Sequence, residues 1–480
     1  MNSRAIALPI GRLLILISLM MIIPAITDMF AHNADWQIFL VCAILVGGFG
    51  LLTSIACQGQ GRPQNFREAI LFVNTAWLVF SFAGAVPMWA SELNISFTDA
   101  FFESASGLTT TGSTILTGIE TLPPGILLWR ALLQWIGGIG VVSLAIWLLP
   151  SLRVSGNQLF ALETSETATK PYGRIAPFLF RLLFLYSYLS VSCCLLYLAC
   201  GMTLFDAVVH AMTTVSTGGF STSDASFGQF QGLSVYWVAT VFMLASSVPF
   251  LYLIRSFENR RFEFDVQILL LFVLITTGAF GVLYFERFVV HDTPFHMLTL
   301  AVFNVVSVVS TTGYGANDYL QFGAPVIAIF FVLTFFGGCA GSTSGGFKMF
   351  RIAVLLSYIR VLLQRMVRPH RVIAPKYHGK RISISILEGT FVFAVLYSAT
   401  FVLFAVFYLF LQMNLETALS ASATALANVG PGIGDIIGPA GNFQNLPDAA
   451  KWLLAIQMIL GRLEILGGLL LFTPDFWRER

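Results

Sequence analysis

Apolar runs separated by short polar turns set the organisation of this chain. A helix that crosses a bilayer needs about 20 predominantly apolar residues. Runs near that length cover 8–29, 36–57, 68–90, 124–149, 177–200, 233–254, 266–285, 384–411 and 449–472, and a longer helix-like stretch begins at Ala324. The pattern predicts an all-α polytopic membrane protein with about ten spans, two N-terminal helices followed by eight more. No small-residue cleavage site follows the first run, so it reads as a retained span.

Between the later spans lie shorter apolar segments, at 100–108, 205–215, 294–309 and 415–427, which read as re-entrant half-helices. Each runs into a string of small residues: Thr109-Thr-Thr-Gly-Ser113, Ser216-Thr-Gly-Gly-Phe220, Ser310-Thr-Thr-Gly-Tyr314 and Asn428-Val-Gly-Pro-Gly432. The third is close in kind to Thr-Val-Gly-Tyr-Gly. Glycine frees the backbone to turn consecutive carbonyls toward one axis, which is how a potassium filter replaces an ion's hydration shell. One such string is ordinarily a loop, but recurrence at intervals of roughly a hundred residues makes the four a set.

The repeating unit is helix, half-helix, string, helix, and four units can surround one pore with pseudo-symmetry. The residues expected to face the ion are Thr110, Thr111 and Gly112; Thr217, Gly218 and Gly219; Thr311, Thr312 and Gly313; and Asn428, Val429 and Gly430. The chain is expected to divide into two N-terminal helices over 1–67 and pore repeats over 68–176, 177–265, 266–383 and 384–480.

Composition sharpens the class: 57% hydrophobic residues, 10% charged and a mean hydropathy of +0.81 exclude a soluble globular domain. A net charge of +2 carries no partner signal, but the placement of charge does. The expected inner side holds Arg4, Arg12, Arg62, Arg67, Arg153, Lys170, Arg174, Arg181, Arg255, Arg260, Arg261, a cluster over 348–381, Arg478 and Arg480. The outer side keeps Arg130, Arg287 and Lys451, so both termini are expected in the cytoplasm. Outer carboxylates, among them Asp28, Asp35, Glu103, Glu120, Asp224 and Glu286, either attract cations to the mouth or are solvated loop charges. The six cysteines lie in apolar stretches without metal spacing and read as packing residues.

Two features break the pattern. From Ala324 to about Leu363 the chain is helix-like over twice a span's length, yet it is interrupted by Gly337-Gly-Cys-Ala-Gly-Ser-Thr-Ser-Gly-Gly346. Irregular backbone at membrane depth survives only where protein buries it or it lines a cavity, so this run is expected below the strings. It is either a gate hinged on its glycines or a small-residue packing seam. The other feature is Arg462 inside the last span with Glu464 two residues on, facing either the pore or an ion pair within the bundle.

Together the four strings, the two leading helices, the Gly-Gly-Cys-Ala-Gly-Ser-Thr loop and Gly461-Arg-Leu-Glu464 resemble the TrkH subunits of bacterial Trk potassium uptake systems, within the Trk/Ktr/HKT superfamily. The resemblance spans essentially the whole chain. It implies a channel-like potassium translocator of the bacterial inner membrane, a homodimer with one pore per protomer, gated by a cytoplasmic TrkA-like nucleotide-binding ring. It makes Gly112, Gly219, Gly313 and Gly430 the filter glycines. It places an intramembrane gating loop at Gly337, Gly338, Gly341, Ser342, Thr343, Gly345, Gly346 and Lys348, and an arginine below the filter at Arg462. The partners expected are this ring, a second copy and the lipid bilayer, with no nucleic acid; the transported potassium ion is the only ligand. The basic surface over 360–381 could dock the ring. Two departures stand out: Asn428-Val-Gly-Pro-Gly432 lacks the Thr-Thr pair, and Ser344 stands where the family pattern has glycine.

Rival readings remain. A proton- or sodium-coupled symporter needs titratable residues on the route, and the membrane interior offers little beyond Glu464 and Arg462. No phosphate-binding glycine loop with Lys-Ser/Thr, His-Glu-x-x-His or nucleophile elbow is present, so the chain is not expected to be an enzyme.

Overall fold

The computed structural model describes residues 3–59, 65–148, 175–259, 265–289, 292–370 and 373–478. Of the basic residues in the charge argument, Arg62, Arg153, Lys170, Arg174, Arg260, Arg261, Arg371 and Arg480 lie outside these ranges.

The protein is a helical bundle. Helices α1 (Ser3–Met20), α2 (Ile22–Phe30) and α3 (Asp35–Ala56) form an N-terminal hairpin. It is drawn together at Gly11 and Gly50, where a Cβ on either would lie 2.8 or 2.7 Å from the other's carbonyl oxygen. Small residues allow this approach, which supplies the dispersion contact that holds helices together in lipid.

Four helix, half-helix, helix units follow. The first is α4 (Phe66–Ala90), α5 (Phe97–Leu108) and α6 (Pro124–Leu148). The second is α7 (Ile175–Ala199), α8 (Leu204–Val215), α9 (Leu233–Ser247) and α10 (Phe250–Asn259). The third is α11 (Val266–Glu286), α12 (Pro294–Val309), α13 (Ala324–Thr334) and α14 (Met349–Val367). The fourth is α15 (Ile384–Phe410), α16 (Leu415–Ala427) and α17 (Asp448–Arg462), after which the chain turns into 466–472.

Each half-helix starts at a side-chain cap. Ser96, Thr203, Thr293 and Asn414 accept the amides of Asp99, Asp206, His296 and Thr417 at 3.1, 3.1, 3.4 and 2.7 Å. Such a cap satisfies one of the orphan amides that would otherwise fray a short helix.

Seven helices among the described residues are long and apolar enough to cross a membrane. Two spans read as continuous from sequence are instead bent pairs: α9 meets α10 at 97°, and α17 meets 466–472 at 111°. At the first bend Pro249 has no amide to give. The carbonyls of Ser246 and Ser247 are taken by the distant amides of Thr343 and Cys339, at 3.3 and 2.8 Å. At the second, Glu464 and Ile465 both sit at φ 56°. The third inner helix is interrupted as expected, between α13 and α14. A two-residue hairpin, β1 (Lys376–Tyr377) with β2 (Lys380–Arg381), follows α14. All six cysteines are free.

Candidate functional site

The four strings meet at the C-terminal ends of the half-helices. The backbone is left-handed at Thr110, Thr217, Thr311 and Asn428, with φ of 53°, 53°, 59° and 57°. It is left-handed again two residues on, at Gly112, Gly219, Gly313 and Gly430, with φ of 85°, 81°, 81° and 113°. The residues between them, Thr111, Gly218, Thr312 and Val429, have negative φ. In an extended strand successive carbonyls point to opposite sides; alternating the sign of φ turns them to the same side.

The glycines show how the segments close. A Cβ on Gly112 would lie 2.3 Å from the Gly218 oxygen, one on Gly219 1.8 Å from Thr312, one on Gly313 1.9 Å from Val429, and one on Gly430 2.7 Å from Thr111. Each segment abuts the next, and the fourth returns to the first. All the residues expected from sequence to face an ion are thereby brought into one ring.

The ring is held from behind. The amides of Thr111, Gly218, Thr312 and Val429 donate to the carbonyls of Ser106, Thr213, Ser307 and Thr424 at 2.9, 2.8, 2.9 and 3.1 Å. These hydroxyl residues stand six positions before each ring glycine. Reading each string alone does not single them out; aligning the strings on their glycines would. The residue after each glycine acts differently in each unit. Ser113 Oγ donates to the Gly430 carbonyl at 2.8 Å, and the Tyr314 hydroxyl lies 2.5 Å from Thr213 Oγ1. Pro431 places its Cδ 2.8 Å from a Cβ on Gly313. The half-helix C-termini bring their partial negative charge to the ring.

Outside the ring a cavity of about 190 Å³ is lined by Gly112, Gly219, Gly313, Arg130, Asp224 and Asn442. Here one expectation is corrected. Asp28, Asp35, Glu103 and Glu286 are buried and are neither mouth charges nor solvated loop charges. Asp28 accepts the Gly125 amide at 2.6 Å, and Asp35 accepts that of Glu92 at 3.4 Å. Glu103 pairs with buried Arg130 at 2.8 Å, whose guanidinium lies 4.1 Å over the Phe220 ring and donates to the Ser221 carbonyl at 3.2 Å. Glu120 and Asp224 do remain exposed. A hydrogen bond from Ser223 holds the Glu120 carboxyl below its ordinary range.

Removing one partner of a buried pair strands a charge, which costs about 3–5 kcal/mol, whereas replacing both with apolar groups is often neutral. R130M is therefore expected to lower the unfolding temperature in detergent markedly, and E103L/R130M to recover only part of it, because the Ile115 amide and the Ser221 carbonyl lose their partners. Scanning calorimetry or fluorescence melting checks the pair.

On the opposite side of the ring lies the glycine-rich run. Its neck is pinched by two hydrogen bonds, Phe347 amide to Phe335 carbonyl at 3.0 Å and Gly337 amide to Phe347 carbonyl at 3.2 Å. Within it the Ser342 hydroxyl donates to Cys339, and the Gly341 carbonyl accepts the Phe250 amide. The Met349 amide donates to Gly338, and Lys348 Nζ to the Ser344 carbonyl. Ser344, the departure from the family pattern, adds an anchor through its hydroxyl to Ser247 Oγ at 3.1 Å.

The tip touches the ring itself. The Gly345 amide donates to Thr311 Oγ1 at 2.7 Å, and Thr217 Oγ1 to Thr343 Oγ1 at 3.2 Å. A Cβ on Gly345 would lie 2.3 Å from the Ala427 carbonyl, and one on Gly346 3.0 Å from the Gly337 Cα.

Buried Arg462 donates through Nη1 to the Thr343 carbonyl at 2.8 Å, while its Nε and Nη2 have no protein partner. Glu464 pairs instead with Arg351, a residue sequence reasoning missed, at 2.7 Å. Arg351 lies 3.6 Å over the Phe393 ring. The two charges of the last span thus have separate partners, as their spacing requires.

A multi-pass helical bundle closed around a ring of backbone carbonyls defines a membrane transport protein of the pore-loop class. A family profile described as TrkH, cation transport protein, matches residues 32–478. The chain belongs to the TrkH family. It is 42% identical over 425 residues to the Trk system potassium uptake protein TrkI of Halomonas elongata, covering 87% of this chain and 86% of that one. It is 34% identical to the Trk system potassium uptake protein TrkH of Escherichia coli over the whole of both chains. The crystal structure of the potassium transporter TrkH from Vibrio parahaemolyticus superposes over the whole of both chains with a TM-score of 0.90 at 31% identity.

Proposed function

We propose that this protein takes up potassium across the bacterial inner membrane through the carbonyl ring, with the 337–346 run as its gate. The observation that carries this is the cyclic closure of the four segments, each with its glycine against the next segment's carbonyl. Carbonyls aimed at one axis replace an ion's hydration shell, and the half-helix ends favour a cation there. The names of the relatives in Halomonas elongata and Escherichia coli agree with potassium as the substrate.

The ion enters past Glu120 and Asp224, sheds water in the ring and meets the loop tip and Arg462 beneath. The membrane potential supplies about 2.3 kcal/mol per charge per 100 mV. The chain itself is not an enzyme. It works as a homodimer with both termini in the cytoplasm, and a TrkA-like nucleotide-binding ring moves the gate from the inner side. The units divide at about residues 67, 176, 265 and 383.

The test is cation flux into proteoliposomes holding only this chain at clamped voltage. Flux that reverses at the potassium equilibrium potential, without a proton gradient, is expected. Flux that appears only with an imposed proton or sodium gradient would make the protein a coupled symporter instead.

A further inference from the structure

Gln134 is fully buried in α6, between Leu133 and Trp135. An uncharged polar side chain inside an apolar helix needs partners for its donor and acceptor. Both partners are in the ring of the neighbouring unit. The amide Nε2 donates to the Gly218 carbonyl at 2.6 Å. Its Oε1 accepts the Phe220 amide at 3.1 Å. One side chain thus holds the peptide groups on both sides of Gly219, as the edge of a neighbouring strand would. The fit is close: a Cβ on Gly218 would lie 2.3 Å from both Cδ and Oε1 of Gln134. Among the described residues the matching carbonyls of Thr111, Thr312 and Val429 receive no side-chain donor, so the clamp belongs to one quarter of the ring.

We propose that Gln134 sets the ion preference of the ring by clamping the Gly218 carbonyl. This rests on the ring being the potassium filter. Two physical effects act in the same direction. The clamp fixes the orientation of one ligand, which keeps the ring from collapsing onto a smaller ion. The donated N–H also draws on the carbonyl's lone pair and weakens its field, and a weaker field favours the larger, more easily dehydrated cation. Loss of the donor therefore shifts preference from potassium toward sodium. Gln134 touches no ion; it is a positioning residue.

The experiment compares Q134L, Q134M and the isosteric Q134E with the unaltered full chain in proteoliposomes, measuring potassium and sodium fluxes and the half-saturating potassium concentration. The potassium-to-sodium ratio is expected to fall about five- to tenfold in the apolar variants, the size of one net hydrogen bond. It should fall further in Q134E at a pH high enough to ionise the buried carboxyl, which then accepts from Phe220 but has nothing to donate, and recover at low pH, where the protonated acid donates to Gly218. The half-saturating potassium concentration shifts together with the ratio.

A residue that merely supported the helix would lower maximal flux and leave the ratio alone, and that outcome overturns the proposal, as does an unchanged ratio. Should the apolar variants fail to fold, Q134E decides alone. G313A separates this inference from the reading beneath it. If G313A keeps potassium preference, the filter assignment itself fails; if G313A loses it while the Gln134 variants keep it, only the clamp does.

Discussion

G313A is expected to collapse the discrimination between potassium and sodium by at least about tenfold, with potassium flux through folded protein reduced or lost. Gly313 sits at φ 81°, and an alanine there bears a left-handed penalty of roughly 1–2 kcal/mol. That cost alone would be survivable. The decisive term is place: the new methyl would stand 1.9 Å from the Val429 carbonyl and 2.8 Å from the Pro431 ring. The Val429 carbonyl cannot stay where it is, so one side of the ring opens. Overpacking of this kind costs typically 1–3 kcal/mol, and a tenfold change in preference needs only about 1.4.

G118A is the matched control. Gly118 is also left-handed, at φ 64°, but its Cβ would meet nothing closer than Thr121 Oγ1 at 3.5 Å. It should bear the backbone cost and keep the preference. Ion flux by reconstituted protein, with monodispersity checked in detergent, measures both. Equal ratios for G313A and G118A would remove the ring from the account of selectivity.

The half-helices were legible because two local signals agree: an apolar run too short to cross and a string of small residues after it. Their bounds at Pro294–Val309 and Leu415–Ala427 needed nothing from elsewhere in the chain. What local pattern cannot carry is the destination of a backbone group. The bend after Ser247 depends on amides from residues 339 and 343, and the break at Glu464 on an arginine 113 residues away. Both spans read as continuous because apolar residues predominate on either side of each bend. Charge misleads in the same manner: Asp28 looks like a loop carboxylate until Gly125 arrives against it. Gln134 carried a signal, one polar amide in an apolar helix, but which carbonyl it serves is decided by folding.

Excision of residues 338–345 is expected to raise flux at least tenfold. The cut can be rejoined in place, because a Cβ on Gly337 would lie 3.1 Å from the Gly346 Cα and neither flanking helix needs to move. It removes the tip that bonds Thr311 and Thr217, and with it the Thr343 carbonyl that Arg462 holds. Besides the bonds of the run to Ser246 and Ser247, two neutral hydrogen bonds at about 0.5–1.5 kcal/mol and one charged one at about 1.5–3 tie the tip to the ring and to Arg462. Such a sum, about 2.5–6 kcal/mol, closes a path firmly yet lies within reach of a binding partner.

R462A should give a smaller rise, since it deletes one of these bonds and leaves the loop. It should also act in the excised background, because a fixed positive charge on the route of a cation in a medium of effective dielectric about 20 costs on the order of 1–4 kcal/mol. Clamped-voltage flux of the three variants resolves the two roles. If the excised protein is monodisperse and its flux is unchanged or lost, the run is packing and not a gate. If R462A then adds nothing to a raised flux, the arginine serves only to hold the loop.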